Sequence, residues 1–172
     1  YLEYHAKNEN SMGYFKIEII TPSTSKFFSE KIKLSCIVSI LDLVNLLTVE
    51  GQQNEKIYNL IKNIFLNLDN KNWIANYIYS ELELLRYIGF DLNIKEFCKS
   101  EVTNNIKNYF INTSSKKLMV PNFLVENSYN NISKADIYNS LVLISEFMKK
   151  NIFIPNSLNF PVSRLNFINN FK

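Results

Sequence analysis

The chain has 172 residues, 47% of them hydrophobic and 20% charged, with a net charge of +3. That balance suits one ordinary globular core with room for a small appendage. It excludes a membrane protein, since no apolar run approaches the roughly 20 residues a span needs, and a disulfide scaffold, since Cys36 and Cys98 are the only cysteines.

Nothing at the start reads as a signal peptide, so a reducing cytoplasm is the expected compartment. A charge of +3 permits a polyanionic partner without arguing for one. Ile, Asn and Lys are abundant while Gly, Ala and Arg are scarce, as expected of an A+T-rich genome, which the base composition of the gene would settle. Basic positions have become Lys almost throughout, and Arg86 and Arg164 are the two arginines left.

Residues 1 to 21 read as β. Gly13 separates two extended runs, and Tyr14, Phe15, Ile17, Ile19 and Ile20 are aromatic or β-branched. Two strands make no stable sheet by themselves, so these lean on helices or belong to a larger sheet. The chain begins at Tyr1 without methionine, directly in strand-like sequence, as expected either of a fragment or of a short form given without its start. Thr21-Pro22-Ser23-Thr24-Ser25 is a linker by composition.

Ser29 is placed to cap a helix running to about Val49, apolar nearly all round (Leu34, Ile37, Val38, Ile40, Leu41, Leu43) and hence expected at the centre of the core. Gly51-Gln52-Gln53 turns the chain. Ile57, Leu60, Ile61, Ile64, Phe65 and Leu68 then form an amphipathic stripe, and Asp69-Asn70-Lys71 connects it to the next helix.

That helix, from Trp73, is long and mostly buried in prospect, with a defined stop. Trp73, Ile74, Tyr77, Ile78, Leu84, Leu85 and Ile88 recur at helical spacing, while Glu81, Glu83 and Arg86 mark a wetter face. Gly89 supplies the left-handed residue of a helix stop, with Phe90 folding back on Leu85. A short helix follows over Ile94 to Cys98. Tyr109-Phe110-Ile111 and Leu118-Met119-Val120 flank the polar run from Asn112 to Lys117 as a hairpin, and Pro121 ends it. Ser133 with Asp136 resembles a capping box for a helix burying Ile137, Leu141, Ile144 and Met148, closed by Pro155. Pro161 opens a last helix that docks through Val162, Leu165, Ile168 and Phe171. No internal repeat is present. The fold class is mainly α, a helical bundle with minor β.

No catalytic constellation emerges. A nucleophile would depend on His5, the one histidine, and no glycine-rich phosphate loop exists. Glu81 and Glu83, two apart on a helix, face different ways and read as solvated or helix-pairing carboxylates. Basic residues are the remaining candidates. Lys116 and Lys117 lie at the hairpin tip, and Lys149 and Lys150 at a helix end, where the helix dipole also favours them. Lys16, Lys26, Lys31 and Lys33 cluster at the strand-to-helix junction among Tyr14, Phe15, Phe27 and Phe28. Rings that stack bases beside lysines that neutralise phosphates are the pattern of single-strand binding. The same rings could instead pack the strand pair onto the bundle. Arg164 keeps its guanidinium where the chain otherwise uses Lys, which points to a bidentate partner, either an internal carboxylate or an acidic ligand tail.

The run Glu81-Leu82-Glu83-Leu84-Leu85-Arg86-Tyr87-Ile88-Gly89-Phe90-Asp91-Leu92, with Cys98 behind it, resembles the RecO family of DNA repair proteins. Three further islands follow the family's order. AKNENSMGYFKIE (6–18) is similar to the closing strands of its OB-fold, and YFINTSSKKLMV (109–120) to its hairpin, with Ser114 where proline is common and the glycine gone. The closing segment, residues 135–164, ends in Pro161-Val162-Ser163-Arg164, similar to the family's P-x-x-R motif.

The resemblance implies three parts: terminal strands of a truncated OB-fold (1–21), a linker (22–29) and an α-helical C-terminal domain (30–172). Some relatives have a zinc site of paired C-x-x-C motifs. Here Cys98-Lys99-Ser100-Glu101 lacks the second ligand and no cysteine follows, so the site is degenerate, and no metal or other cofactor is expected.

The implied function is a non-catalytic recombination mediator. It binds single- and double-stranded DNA, anneals complementary strands, holds the C-terminal tail of single-stranded DNA-binding protein and, with RecR, helps load RecA on gapped DNA. Lys149, Lys150 and Arg164 are then rim candidates for the acidic tail. Lys16, Lys26, Lys31, Lys33, Lys116 and Lys117 are candidates for nucleic acid. The alternative is a helical interaction or scaffold domain with no nucleic-acid role.

Overall fold

A computed structural model describes every residue of the chain except 9, 10, 21, 23, 104, 105, 113–115, 130 and 131. Thr21 and Ser23 of the expected linker, and Thr113, Ser114 and Ser115 of the hairpin turn, therefore lie outside the described residues. Strands β1 (Leu2–His5) and β2 (Tyr14–Ile17) pair antiparallel, from Leu2 opposite Ile17 to His5 opposite Tyr14. Cross-strand rings hold the pair together, Tyr4 against Phe15 at 5.1 Å and His5 against Tyr14 at 5.3 Å. Both faces are open to water, with Tyr4, Tyr14, Phe15 and Ile17 exposed. The strands do not lean on the helices through these rings.

After a single 3₁₀ turn (Thr24–Phe27) come α1 (Lys31–Leu47), α2 (Glu55–Asn67) and α3 (Trp73–Tyr87). Helix α1 starts one residue later than Ser29 would set it: Glu30 takes the cap position, and no side chain caps it. Nor is α1 the central axis. Cys36, Ile37, Ile40 and Leu43 are buried, but Val38 and Leu41 face water, so the helix forms a wall of the bundle. Asn54 caps α2, its side chain accepting from the Ile57 N–H at 3.1 Å.

The stop of α3 follows the sequence. Gly89 has φ +87°, the Phe90 N–H donates to the Leu85 carbonyl at 2.8 Å and the Gly89 N–H to that of Arg86 at 3.1 Å, the two bonds of a Schellman cap.

Short α4 (Ile94–Phe97) leads into an antiparallel sheet of β3 (Lys99–Thr103), β4 (Ile106–Asn112) and β5 (Lys117–Val120) in that order. The expected hairpin is β4–β5, with Tyr109 opposite Val120 and Ile111 opposite Leu118. Strand β3 was illegible because KSEVT carries little apolar alternation and lies at the sheet edge, where water satisfies one side. A one-turn helix α5 (Asn122–Glu126), also not anticipated, ends on Asn127 at φ 53°.

The capping box of α6 (Lys134–Met148) forms as read: Ser133 Oγ accepts from the Asp136 N–H at 3.1 Å, and Asp136 accepts from the Ser133 N–H at 2.9 Å. Helix α6 does not end at the lysines. It widens into a π turn, Lys149–Phe153, with the Ile154 N–H bonded to the Lys149 carbonyl at 2.9 Å. Pro155 supplies the cause. It has no N–H, and its ring clashes with the carbonyl four residues back in α geometry, a conflict a wide turn upstream relieves. Ser157, at φ 55°, then closes a second Schellman cap with the Leu158 N–H on the Phe153 carbonyl at 2.9 Å.

The last helix, α7 (Val162–Asn169), packs against α1 and α6, while α3 packs on α2 and α6. Helix α7 buries Arg164, Phe167 and Ile168, with Phe171 just beyond its end; Ile168 and Phe171 dock as the sequence suggests, while Arg164 and Phe167 stand in for Val162 and Leu165. Val162 and Leu165 face water because Arg164 has taken the inner position. The core joins all the long helices, with Ile40, Leu43, Ile78, Leu141, Ile144 and Phe167 sealed from water. No helix among the described residues is long and apolar enough to cross a membrane.

Candidate functional site

Arg164 is not on a rim. It is 0% exposed, and its two terminal nitrogens donate to the two carboxylate oxygens of Glu81 at 2.6 Å each. Its Nε donates to Ser145 Oγ at 3.3 Å, and Nη2 also reaches the Leu141 carbonyl at 3.4 Å. The planar fork is used for an internal carboxylate, and no acidic tail can reach it. Glu81 is correspondingly dry. Burial pushes its carboxyl above the usual range while the guanidinium pulls it back. The charged residue that marked a wet face of α3 in fact points inward. Cys36 and Tyr77 lie beside this pair, and burial raises both well above their ordinary values, so Cys36 is an inert core thiol.

Lys149 and Lys150 have a different setting. They line a cavity of about 560 Å³ between α4, the β4–β5 hairpin and the end of α6. Leu92, Phe97, Ile111, Leu118, Leu143 and Phe147 give it an apolar floor and walls. Asn151 and Ile154 complete the side made by the π turn. Lys149, Lys150 and Asn151, three consecutive residues of that turn, all line the cavity. Glu146 stands among them, with Lys116 Nζ at 3.1 Å and Lys149 Nζ at 3.7 Å. The Lys149 ammonium also lies 4.8 Å from the centre of the Phe160 ring.

The hairpin-tip lysines diverge. Lys116 turns to Glu146 at the cavity. Lys117 pairs with Glu101 across the sheet at 2.7 Å and lies 3.7 Å above the Phe110 ring. They do not form a joint phosphate patch.

At the junction, the chain between β2 and α1 meets α2 around an open groove of about 790 Å³. Ile19, Lys26, Phe27, Phe28, Tyr58 and Phe65 are among its walls. Lys16, Lys26 and Lys31 are exposed. Lys33 is spoken for. Its ammonium is 2.8 Å from Glu30 and 3.4 Å from Asp69, above the Phe27 ring, and the bond to Glu30 raises its pKa. A phosphate at Lys33 would have to displace these two carboxylates. Of the four junction aromatics, Phe27 alone is buried, while Tyr14, Phe15 and Phe28 are exposed, so packing onto the bundle does not account for those three.

Cys98 is half-buried, with its Sγ 3.8 Å from the Lys95 carbonyl. Lys149 and Lys150, expected on the rim of an apolar groove between helices, do border a cavity, but sequence reasoning missed the walls that α4 and the hairpin give it. The remaining walls come from three other segments, Leu92 to Phe97, Ile111 to Asn112 and Leu118.

The family model described as Recombination protein O C terminal matches residues 29–145. The chain is similar to the DNA repair protein RecO of Wolbachia sp. subsp. Drosophila simulans (strain wRi), 25% identical over 183 residues that cover 94% of this chain and 75% of the relative. It is similar to that of Rickettsia canadensis, 26% identical over 162 residues (86% of this chain, 66% of the relative). The RecO of Ehrlichia chaffeensis is 27% identical over 160 residues (82% and 65%). No solved structure matches the chain. With the matched segment running from the start of α1 into α6 through the Gly89 stop, the chain belongs to the RecO family of recombination proteins.

Proposed function

We propose that the chain is a non-catalytic mediator of DNA repair and homologous recombination whose helical body holds the acidic, apolar-ended tail of single-stranded DNA-binding protein. The observation that carries the reading is the cavity at the end of α6, an apolar floor beneath a rim bearing Lys149 and Lys150. An aromatic or aliphatic chain end fits such a floor, and carboxylates match the ammonium groups above it. Membership of the RecO family supports the repair role. In that role the protein acts with RecR in the bacterial cytoplasm, at the nucleoid, to help load RecA on gapped DNA. Lys149→Glu together with Lys150→Glu should weaken binding of a fluorescent acidic peptide ending in phenylalanine by about tenfold at low salt, and less at high salt. The same variant should slow RecA assembly on gapped DNA coated with single-stranded DNA-binding protein. Unchanged peptide affinity would remove the cavity from the account.

Binding of single- and double-stranded DNA, and strand annealing, belong in this reading to the other end of the molecule. The β1–β2 pair, open on both faces, fits the closing strands of an OB-fold. Exposed Tyr14, Phe15 and Phe28 beside Lys16, Lys26 and Lys31 offer stacking surfaces next to phosphate partners. Converting these three lysines to Glu should weaken binding to a labelled single-stranded oligonucleotide and flatten its salt dependence, by about 0.7 in the log–log slope for each phosphate left without its lysine. A purely structural scaffold domain shows no salt-dependent binding in the first place.

A further inference from the structure

We infer that Glu146 is an internal competitor at the cavity, holding two ammonium groups that a ligand of several carboxylates takes over when it binds. The inference rests on the reading of this cavity as an acidic-tail site and adds its regulation.

Two lysines from separate elements converge on one carboxylate. Lys116 reaches it from the residue before β5, at 3.1 Å, and Lys149 from the first position of the π turn, at 3.7 Å. The carboxylate itself lies on the cavity wall, not behind it. Its geometry therefore reproduces, within the empty molecule, the contact a ligand carboxylate would make. All three side chains are about a third to a half exposed, so they can exchange partners without opening the core.

Lys150 differs. It lines the same wall and has no carboxylate within ion-pair distance among the described residues. A ligand with a single carboxylate meets Lys150 and stops there. A ligand with several can also displace Glu146, which swings into water while its lysines change partner. The cavity is thus tuned towards chain ends of high acidic density, because exposed pairs are worth little individually and are outcompeted by several charges arriving together.

The opposite role is equally definite: Glu146 could fasten the hairpin to α6 and so hold the lysines where a ligand needs them. The two roles predict opposite signs. On the full chain at low salt, Glu146→Gln should bind fluorescein-labelled Asp-Asp-Asp-Phe about three- to fivefold more tightly than the parent chain does. Binding of the labelled Asn-Asn-Asn-Phe peptide should not change, which shows the cavity to be intact. Adding Lys116→Gln to that variant should abolish most of the gain. Equal or weaker binding of the acidic peptide by Glu146→Gln overturns the competitor role and leaves the cavity reading standing. Failure of both the parent and the variant to bind it overturns the two together.

Discussion

Arg164→Met should cost the fold about 3–5 kcal/mol, read as a fall in the urea midpoint with little change in slope. The size follows from what stays behind. Glu81 is 1% exposed and has both oxygens satisfied by the one guanidinium, so methionine strands a carboxyl in the core with no cation and no water. Arg164→Lys should recover only part of the loss, since an ammonium cannot bridge both oxygens from one plane or keep the bonds to Ser145 and Leu141. The double change Glu81→Met with Arg164→Met should be far milder than either single one, because a well-packed apolar pair often matches a buried ion pair. A double-mutant cycle over the four proteins reads the coupling directly. A loss below about 1 kcal/mol for Arg164→Met would sink this account of the bundle.

Phe167→Ala carries the second large effect, also about 3–5 kcal/mol. The ring is 0% exposed and meets Tyr77 edge-on at 5.1 Å and Phe171 edge-on at 5.4 Å. Alanine removes the transfer energy of the ring, its two edge-on neighbours and the packing beside the Arg164 guanidinium, whose centre lies 5.9 Å away. Phe167→Leu should cost less than half as much as Phe167→Ala, as most of the volume is kept. Because Phe167 and Arg164 are one turn apart on α7, their effects should not add. Thermal unfolding of the single and combined variants checks both statements. Either result bears on the domain boundary, since α7 lies outside the matched residues 29–145 yet completes the core that those residues build.

Local signals were legible in this sequence wherever a single segment carries its own reason. The Gly89 stop, the Ser133–Asp136 box and the β4–β5 hairpin follow from short-range chemistry and appear at the expected residues. What sequence could not reveal depends on which way a face turns. Glu81 breaks an apolar stripe, which ordinarily means water, and only the arrival of Arg164 from 83 residues away makes it a core residue. The Val162–Leu165 stripe was misplaced for the same reason, because an inward arginine looks polar in any pattern. The cavity was invisible on other grounds. Its walls are collected from four segments, and the wide turn that carries Lys149 and Lys150 lies just ahead of Pro155, which the pattern reads simply as a helix stop.

The pairing of Glu81 with Arg164 also sets an order of events in time. A ribosome finishes α3 long before it reaches α7, so the nascent bundle must wait, with an acid lodged among its greasy surfaces, until the counterion emerges. A product cut short before Arg164 loses the buried Phe167, Ile168 and Phe171 along with the counterion, so it should be more open to proteolysis than the Arg164→Met protein. Helix α7 thus acts as a late check on the helices synthesised before it.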